Sequence, residues 1–318
     1  MTLISFIWEL RRVRWVVAGR ISQARISSVR RFLLLAGSAA VLIVGGCGGD
    51  SGEGGPRSRF DANRAWRLVE LQLASGQRPA GSPQLRRLAV KLRKLLPAGR
   101  FEALPGEPGL RNVVGTLPGR KPGIVVGAHY DTLASPRGFV GANNGAAGSA
   151  IVIEAARALA RMHAGPRARE VRFVLFDGEE PAKVLPEETA DFYQEGLRGS
   201  RAYVADNPGR TGDMILLDYV GNRGLFLPRE GTSTEALWSR LVVAANEVGD
   251  ERFFSRETGT AIEDDHTPFL RAGVPAVDLI DWSYPGHTLA DRLGKLSRQS
   301  LDAVGETVVQ LVSELRDE

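Results

Sequence analysis

Asp177-Gly178-Glu179-Glu180 follows directly on the apolar run Val171-Arg172-Phe173-Val174-Leu175-Phe176. Two adjacent carboxylates at the end of a buried strand are costly unless they are paired, neutralised or bound to metal. Ligands in open α/β sheets gather at the carboxyl ends of the strands, which is where these glutamates fall. A lone Glu-Glu pair is ordinarily a solvated loop; other residues along this chain turn the reading toward a metal site. Of four histidines, three stand beside carboxylates: His129 in His129-Tyr130-Asp131, His266 closing Glu263-Asp264-Asp265-His266, and His287 opening His287-Thr288-Leu289-Ala290-Asp291. Any one of them alone would more often be structural. Several together, two of them following strands, fit a zinc site of nitrogen and oxygen ligands. His163 falls at a helix C-terminus, where a cation suits the dipole, and reads as structural. No Gly-x-Ser-x-Gly elbow occurs and the single cysteine, Cys47, lies at the junction of a leader segment, so serine and cysteine nucleophiles are poor candidates.

The elements that must carry these residues alternate between strand and helix. Helical spacing of apolar residues predicts helices over Ala62–Ala74, Gln84–Leu96, Ala146–Met162, Glu195–Ala205, Thr234–Val248 and Leu301–Leu315. Strands are expected over Asn112–Leu117 and Gly123–Ala128, split by the turn Pro118-Gly119, and over Val171–Phe176, Met214–Val220, Gly224–Leu227 and Val274–Ile280. This alternation argues for one α/β domain with a central, mostly parallel mixed sheet and helices on both faces.

With these elements in place, the series His129-Tyr130-Asp131, Gly141-Ala142-Asn143-Asn144, Phe176-Asp177-Gly178-Glu179-Glu180, Leu217-Asp218, Glu263-Asp264-Asp265-His266 and His287-Thr288 resembles the zinc aminopeptidase superfamily in its order. Within it the chain is most similar to the glutaminyl-peptide cyclotransferases. Three segments carry that closer likeness: Phe-Asp-Gly-Glu-Glu followed after a long insert by Gly199-Ser200-Arg201, the run 263–271, and Arg78-Pro79-Ala80-Gly81-Ser82. The resemblance covers residues 60 to 318. It implies zinc as cofactor, a peptide with a free N-terminus as substrate, Glu180 and His287 as zinc ligands, and Glu179 as the acid/base. It puts Asn144 at the position of a third ligand, normally aspartate. Asp218 and Asp265 would be proton-relay carboxylates in the cyclase branch. In two-zinc aminopeptidases His129 and Asp218 would instead hold a second zinc, with position 144 bridging.

Two residues depart from the pattern. Asparagine at 144 is neutral and cannot bridge two metals as a carboxylate does. That leaves three outcomes open: zinc held through the amide oxygen, a silent site that only binds, or deamidation of Asn144 assisted by Gly145. The cyclase branch often carries an aromatic residue before the zinc-binding histidine, and here Gly286 precedes His287; Trp282 and Tyr284 are the nearby aromatics expected to wall a pocket. Chemistry on this pattern is therefore expected to be cyclisation of N-terminal glutamine with loss of ammonia. The alternatives are zinc aminopeptidase activity or an impaired binding homologue.

The first 46 residues read as a separate leader. An arginine-rich stretch ends in Arg30-Arg31, and Phe32 to Val44 is apolar but too short to span a bilayer comfortably, as in a signal-peptide core. The stretch ahead of that core is unusually long, which leaves Met1 in question as the start. Val44-Gly45-Gly46-Cys47 resembles a bacterial lipoprotein processing box, so Cys47 is expected to carry a lipid and the protein to lie outside the cytoplasm, anchored to a bacterial membrane. Residues 47–58, rich in glycine and serine, read as a tether, and 59–318 as the catalytic domain. The leader holds seven arginines and one glutamate, a net of +6 in a chain of +4, so the remainder carries −2 and a nucleic-acid role loses its electrostatic support.

Overall fold

A computed structural model describes residues 59–182 and 191–318. The segments expected to be leader and tether, with Cys47, lie outside the described residues, and among those described no helix is long and apolar enough to cross a membrane.

Helix α1 (Ala62–Leu73) starts where the Asp61 carboxylate accepts the backbone N–H groups of Asn63 and Arg64, both at 3.0 Å, and it buries Ala65, Trp66 and Val69. Helix α2 (Pro83–Arg93) is capped by Ser82 and ends three residues before the expected Leu96. There follow β1 (Arg100–Ala103), β2 (Arg111–Leu117) and β3 (Arg120–His129), a π-helical turn at Ala142–Ala147, α3 (Gly148–Ala160), β4 (Arg169–Phe176), α4 (Phe192–Glu195), α5 (Arg198–Asp206) and β5 (Thr211–Asp218). The chain closes with β6 (Leu227–Arg229), α6 (Glu235–Glu247), β7 (Phe254–Thr258), α7 (Thr267–Arg271), β8 (Ala276–Ile280) and α8 (Arg298–Asp317).

Six strands form the main sheet in the order β1-β2-β4-β3-β5-β8. The four from β4 to β8 run parallel; β1 and β2 join antiparallel at one edge. The turn at Pro118-Gly119 therefore does not close a hairpin, because β4 lies between β2 and β3. The parallel strands are apolar on both faces, as a doubly covered sheet requires. Phe173 and Leu175 of β4 join one cluster with α1, α3, α6 and α8, while Val174 and Phe176 join a smaller one with Tyr203 and Phe269, supplied by α5 and α7.

Three expectations differ from the structure for local reasons. The helix expected over Glu195–Ala205 is broken at Gly196, and Leu197 takes φ 52°. There the N–H groups of Leu197 and Arg198 donate to the carbonyls of Glu179 and Gly178, both at 3.0 Å, instead of continuing a helix. β5 stops at Asp218 because Tyr219 turns to φ 46°. The strand expected at Gly224–Leu227 is displaced to Leu227–Arg229 and pairs outside the main sheet with β7, whose polar sequence gave no strand signal.

Candidate active site

Parallel register sets the site. His129, the last residue of β3, lies opposite Phe176 at the end of β4, and Asp218 ends β5 beside it. The loop after β4 turns at Gly178 (φ +77°), where a β-carbon would lie 2.9 Å from the Arg198 guanidinium. Asp131 pins the glutamates that follow: its two oxygens accept the backbone N–H groups of Glu179 at 3.3 Å and Glu180 at 3.2 Å. Arg198 holds the far side by donating to the Glu180 carbonyl at 2.8 Å. Arg78, wholly buried, ties the loops on either side of residue 135 together by donating to the carbonyls of Tyr130 and Gly141, each at 3.1 Å.

His129 stands among three carboxylates. Its Nδ1 is 3.5 Å from Asp131 Oδ1 and from Glu179 Oε2, and its Nε2 is 3.5 Å from Asp218 Oδ1. Burial alone would lower its pKa; Glu179, with Asp131 and Asp218, outweighs burial and holds it well above the ordinary value. Both imidazole nitrogens are buried without a hydrogen-bond partner. Burial, followed by the charge of Glu180, raises the Glu179 carboxyl well above the usual range, and burial raises Glu180 likewise.

Asn144 sits at a break inside the π-helical turn, with φ −74° and ψ 100°, and Gly145 follows at φ +85°. A β-carbon on Gly145 would come within 2.6 Å of the Asp131 carbonyl oxygen. Asp291 fixes the break: its carboxylate accepts the N–H of Asn143 at 2.9 Å and of Asn144 at 3.1 Å. The Asn144 side-chain amide donates to Glu180 Oε1 at 2.8 Å and to the Tyr219 hydroxyl at 3.2 Å. His287 reaches the same carboxylate, with Nε2 3.6 Å from Glu180 Oε1, and partial burial holds its pKa below the ordinary value.

Asn144 Oδ1 and Glu180 Oε2 are buried without a hydrogen-bond partner. With the His287 imidazole they make two oxygens and one nitrogen, a donor set zinc accepts. Among the described residues no three His, Cys, Asp or Glu side chains converge as a metal cage; the set reaches three only through the Asn144 amide. These residues therefore fit zinc, and His129, whose two ring nitrogens are likewise unpartnered, stands beside them.

These groups open on a cavity of about 390 Å³ lined by Asn144, Glu179, Asp218, Tyr219, Asp264, Trp282 and His287, with Phe192 and Ile262 as apolar wall. A larger depression of about 760 Å³ between α1 and α3 shares no residue with it. Trp282 is 50 % exposed at the rim and stacks on Tyr219 at 6.2 Å and 20°. Tyr284, expected in the pocket, lies off the wall and donates its hydroxyl to Asp291 Oδ1 at 2.7 Å, buttressing the Asn144 break. Asp265, expected to relay protons, is wholly buried and does not line the cavity; its neighbour Asp264 is the acid on the wall. Burial, then the charge of Asp218, pushes Asp264 up to about 7. His266 is also away from the cavity, 3.2 Å from Glu230 and 2.8 Å from the Thr232 hydroxyl. Sequence reasoning missed Asp264 because four adjacent polar residues give no sign of which one the loop presents. It missed Tyr219 because nothing in Leu217-Asp218-Tyr219 announces a left-handed turn.

Comparison with known proteins narrows this geometry. The sequence model of Peptidase family M28 matches residues 112–312. A glutaminyl-peptide cyclotransferase from Bos taurus is 28% identical over 236 residues, covering 64% of this chain and 65% of that protein's length. Aminopeptidase YwaD from Bacillus subtilis (strain 168) is 27% identical over 209 residues, 60% of this chain and 40% of the aminopeptidase. Among solved structures, an Acidobacteriales bacterium glutaminyl cyclase superposes with a TM-score of 0.71 at 28% identity, covering 84% of this chain and 98% of that one.

Proposed function

This chain belongs to peptidase family M28, and we propose that within it the site is that of a zinc-dependent glutaminyl-peptide cyclotransferase, converting N-terminal glutamine of a peptide to pyroglutamate with release of ammonia. The observation that carries this reading is the Asn144 amide donating to Glu180 at 2.8 Å. A residue that donates there cannot serve as the anionic bridge of a two-metal peptidase. The similarity to cyclotransferases in sequence and in structure supports the same choice.

Asn144, Glu180 and His287 would hold one zinc ion, which when bound supplies Lewis-acid polarisation of the reacting carbonyl. The chain's own residues do the rest. Glu179, on the cavity wall with a raised pKa, takes a proton from the α-amine of the substrate and returns one to the departing ammonia. Asp218 and Asp264, on the same wall, hold the amine and share its proton. Phe192, Ile262 and Trp282 keep water from the attacking nitrogen.

A second reading, aminopeptidase activity, is favoured by one observation: His129 and Asp218 lie 3.5 Å apart at the strand ends, where a second metal would need them. The test is mass spectrometry of the zinc-loaded protein with two peptides, one beginning with glutamine and one with leucine, beside a chelated control. Ammonia loss from the glutamine peptide alone supports the cyclotransferase. Stepwise shortening supports the aminopeptidase, and no change in either peptide leaves a binding homologue. Lipid attachment at Cys47 and an extracytoplasmic location belong to the same proposal; Cys47→Ser should abolish incorporation of labelled palmitate.

A further inference from the structure

Tyr219 belongs to none of the motifs that define the site, yet three separate features serve to place it. Its backbone holds φ 46°, a region bulky side chains rarely enter and one that clusters at functional sites. Its ring packs against Trp282, Tyr284 and His287 at centroid distances of 6.2, 5.7 and 6.2 Å. Residue 286 is cleared for it: a β-carbon on Gly286 would lie 2.2 Å from the phenol Cζ. Tyr219, arriving from β5, thus fills the space that a side chain at position 286 would enter.

The hydroxyl is where these constraints converge. It accepts one proton of the Asn144 amide at 3.2 Å, while the other goes to Glu180 at 2.8 Å. The phenol's own proton has no acceptor among the described residues, and the residue lines the cavity beside Asn144 and His287. A carboxylate at 144 would accept that proton and consume it. Asparagine reverses the polarity of the contact, and a phenol that accepts a hydrogen bond is a stronger donor through its own O–H.

We infer that the Tyr219 hydroxyl is a catalytic hydrogen-bond donor to the reacting carbonyl oxygen of the substrate, freed for that task by Asn144. The inference rests on the acyl-transfer reading above. As the α-amine nitrogen bonds to the γ-carbonyl carbon, the carbonyl π pair moves onto oxygen, where the phenol stabilises it. The pair returns as the carbon–nitrogen bond to the departing group breaks, and ammonia leaves with the proton carried by Glu179. Tyr219 keeps its own proton throughout.

The test compares wild type with Tyr219→Phe and Gly286→Ala on a tripeptide beginning with glutamine, with zinc content and melting temperature measured on each protein. The phenylalanine variant keeps the ring, and the alanine variant displaces it, so whichever folds reports on the hydroxyl. The expected result for either variant is kcat lower by about 100-fold, as for loss of one oxyanion donor, with KM within about threefold and zinc content unchanged, while the melting temperature falls because the Asn144 N–H loses its acceptor or the ring is displaced. A kcat within about threefold of wild type, or a kcat loss accompanied by loss of zinc, overturns the inference and leaves the cyclotransferase reading standing. Wild type that converts no glutamine peptide overturns that reading and this inference with it.

Discussion

Replacing Asn144 with aspartate should produce opposite effects with and without metal. In the metal-free protein the new carboxylate would face Glu180 Oε1 across the 2.8 Å now spanned by an amide hydrogen bond, with both side chains buried. Two ionised oxygens at that distance repel by roughly 6 kcal/mol at an effective dielectric of about 20. Donation from the Tyr219 hydroxyl recovers about 1.5–3 kcal/mol of this, and proton uptake by the pair limits the remainder. A net loss of about 3 kcal/mol follows, or roughly 6–12 °C of melting temperature for a domain of this size. By linkage, a cation that relieves the repulsion recovers the same free energy, so zinc affinity should rise by about two orders of magnitude. Thermal unfolding in chelator and zinc titration against a chromophoric competitor measure the two halves. If the chelated variant melts with wild type, or binds zinc no more tightly, then Asn144 does not hold Glu180 through its amide and the one-metal argument fails with it.

Glu179→Gln should lower turnover of a glutamine peptide by at least about 100-fold while zinc content, set by other residues, stays constant; a fully active variant would remove Glu179 from the proton path. Gly145→Ala forces a β-carbon to 2.6 Å from the Asp131 carbonyl at a positive φ, so its urea midpoint should fall by the equivalent of roughly 2–3 kcal/mol. Asp177 accepts from the Arg111 N–H at 2.9 Å, and burial, with Asp131, pushes it from 3.8 up to about 7. Its folded pKa exceeds the unfolded one, so the stability it contributes is complete below pH 3.8 and is lost as pH rises through 7. The melting temperature of Asp177→Asn, followed from pH 4 to 8 beside wild type, should lack that decline.

Much of this molecule is legible in its sequence because continuous apolar strands and helical periodicity are local signals. The run before Asp177 marks the central strand and the place where the glutamates emerge, and His129 closing β3 and His287 beyond β8 mark two more strand ends. What the sequence withholds is decided by contacts between distant segments. β4 enters between β2 and β3 although a turn joins them, because pairing follows the sheet and not the chain. The helix around residue 196 breaks because carbonyls of the glutamate loop claim its N–H groups. Asp264 and Asp265 are chemically identical neighbours, and only the fold turns one toward the cavity. Tyr284 has the composition of a pocket wall, yet it supports Asp291 and through it the backbone of Asn144.

The strand order also governs when the site can exist. α8 packs against α1, α3 and α6, and the Phe60 N–H donates to Glu306 at 2.7 Å, so the packing of the first helix, begun on the π-helical turn and α3, is completed only when the last has been made. Chains grow at about 5–20 residues per second. For tens of seconds, then, a nascent domain leaves α1 only partly covered, and it lacks β8 and the loop carrying Trp282 and His287. A ribosome-bound fragment ending before β8 should be a ready client for chaperones and devoid of zinc. The core around α1 and the loop that carries His287 are thus both completed only in the last stretch of synthesis.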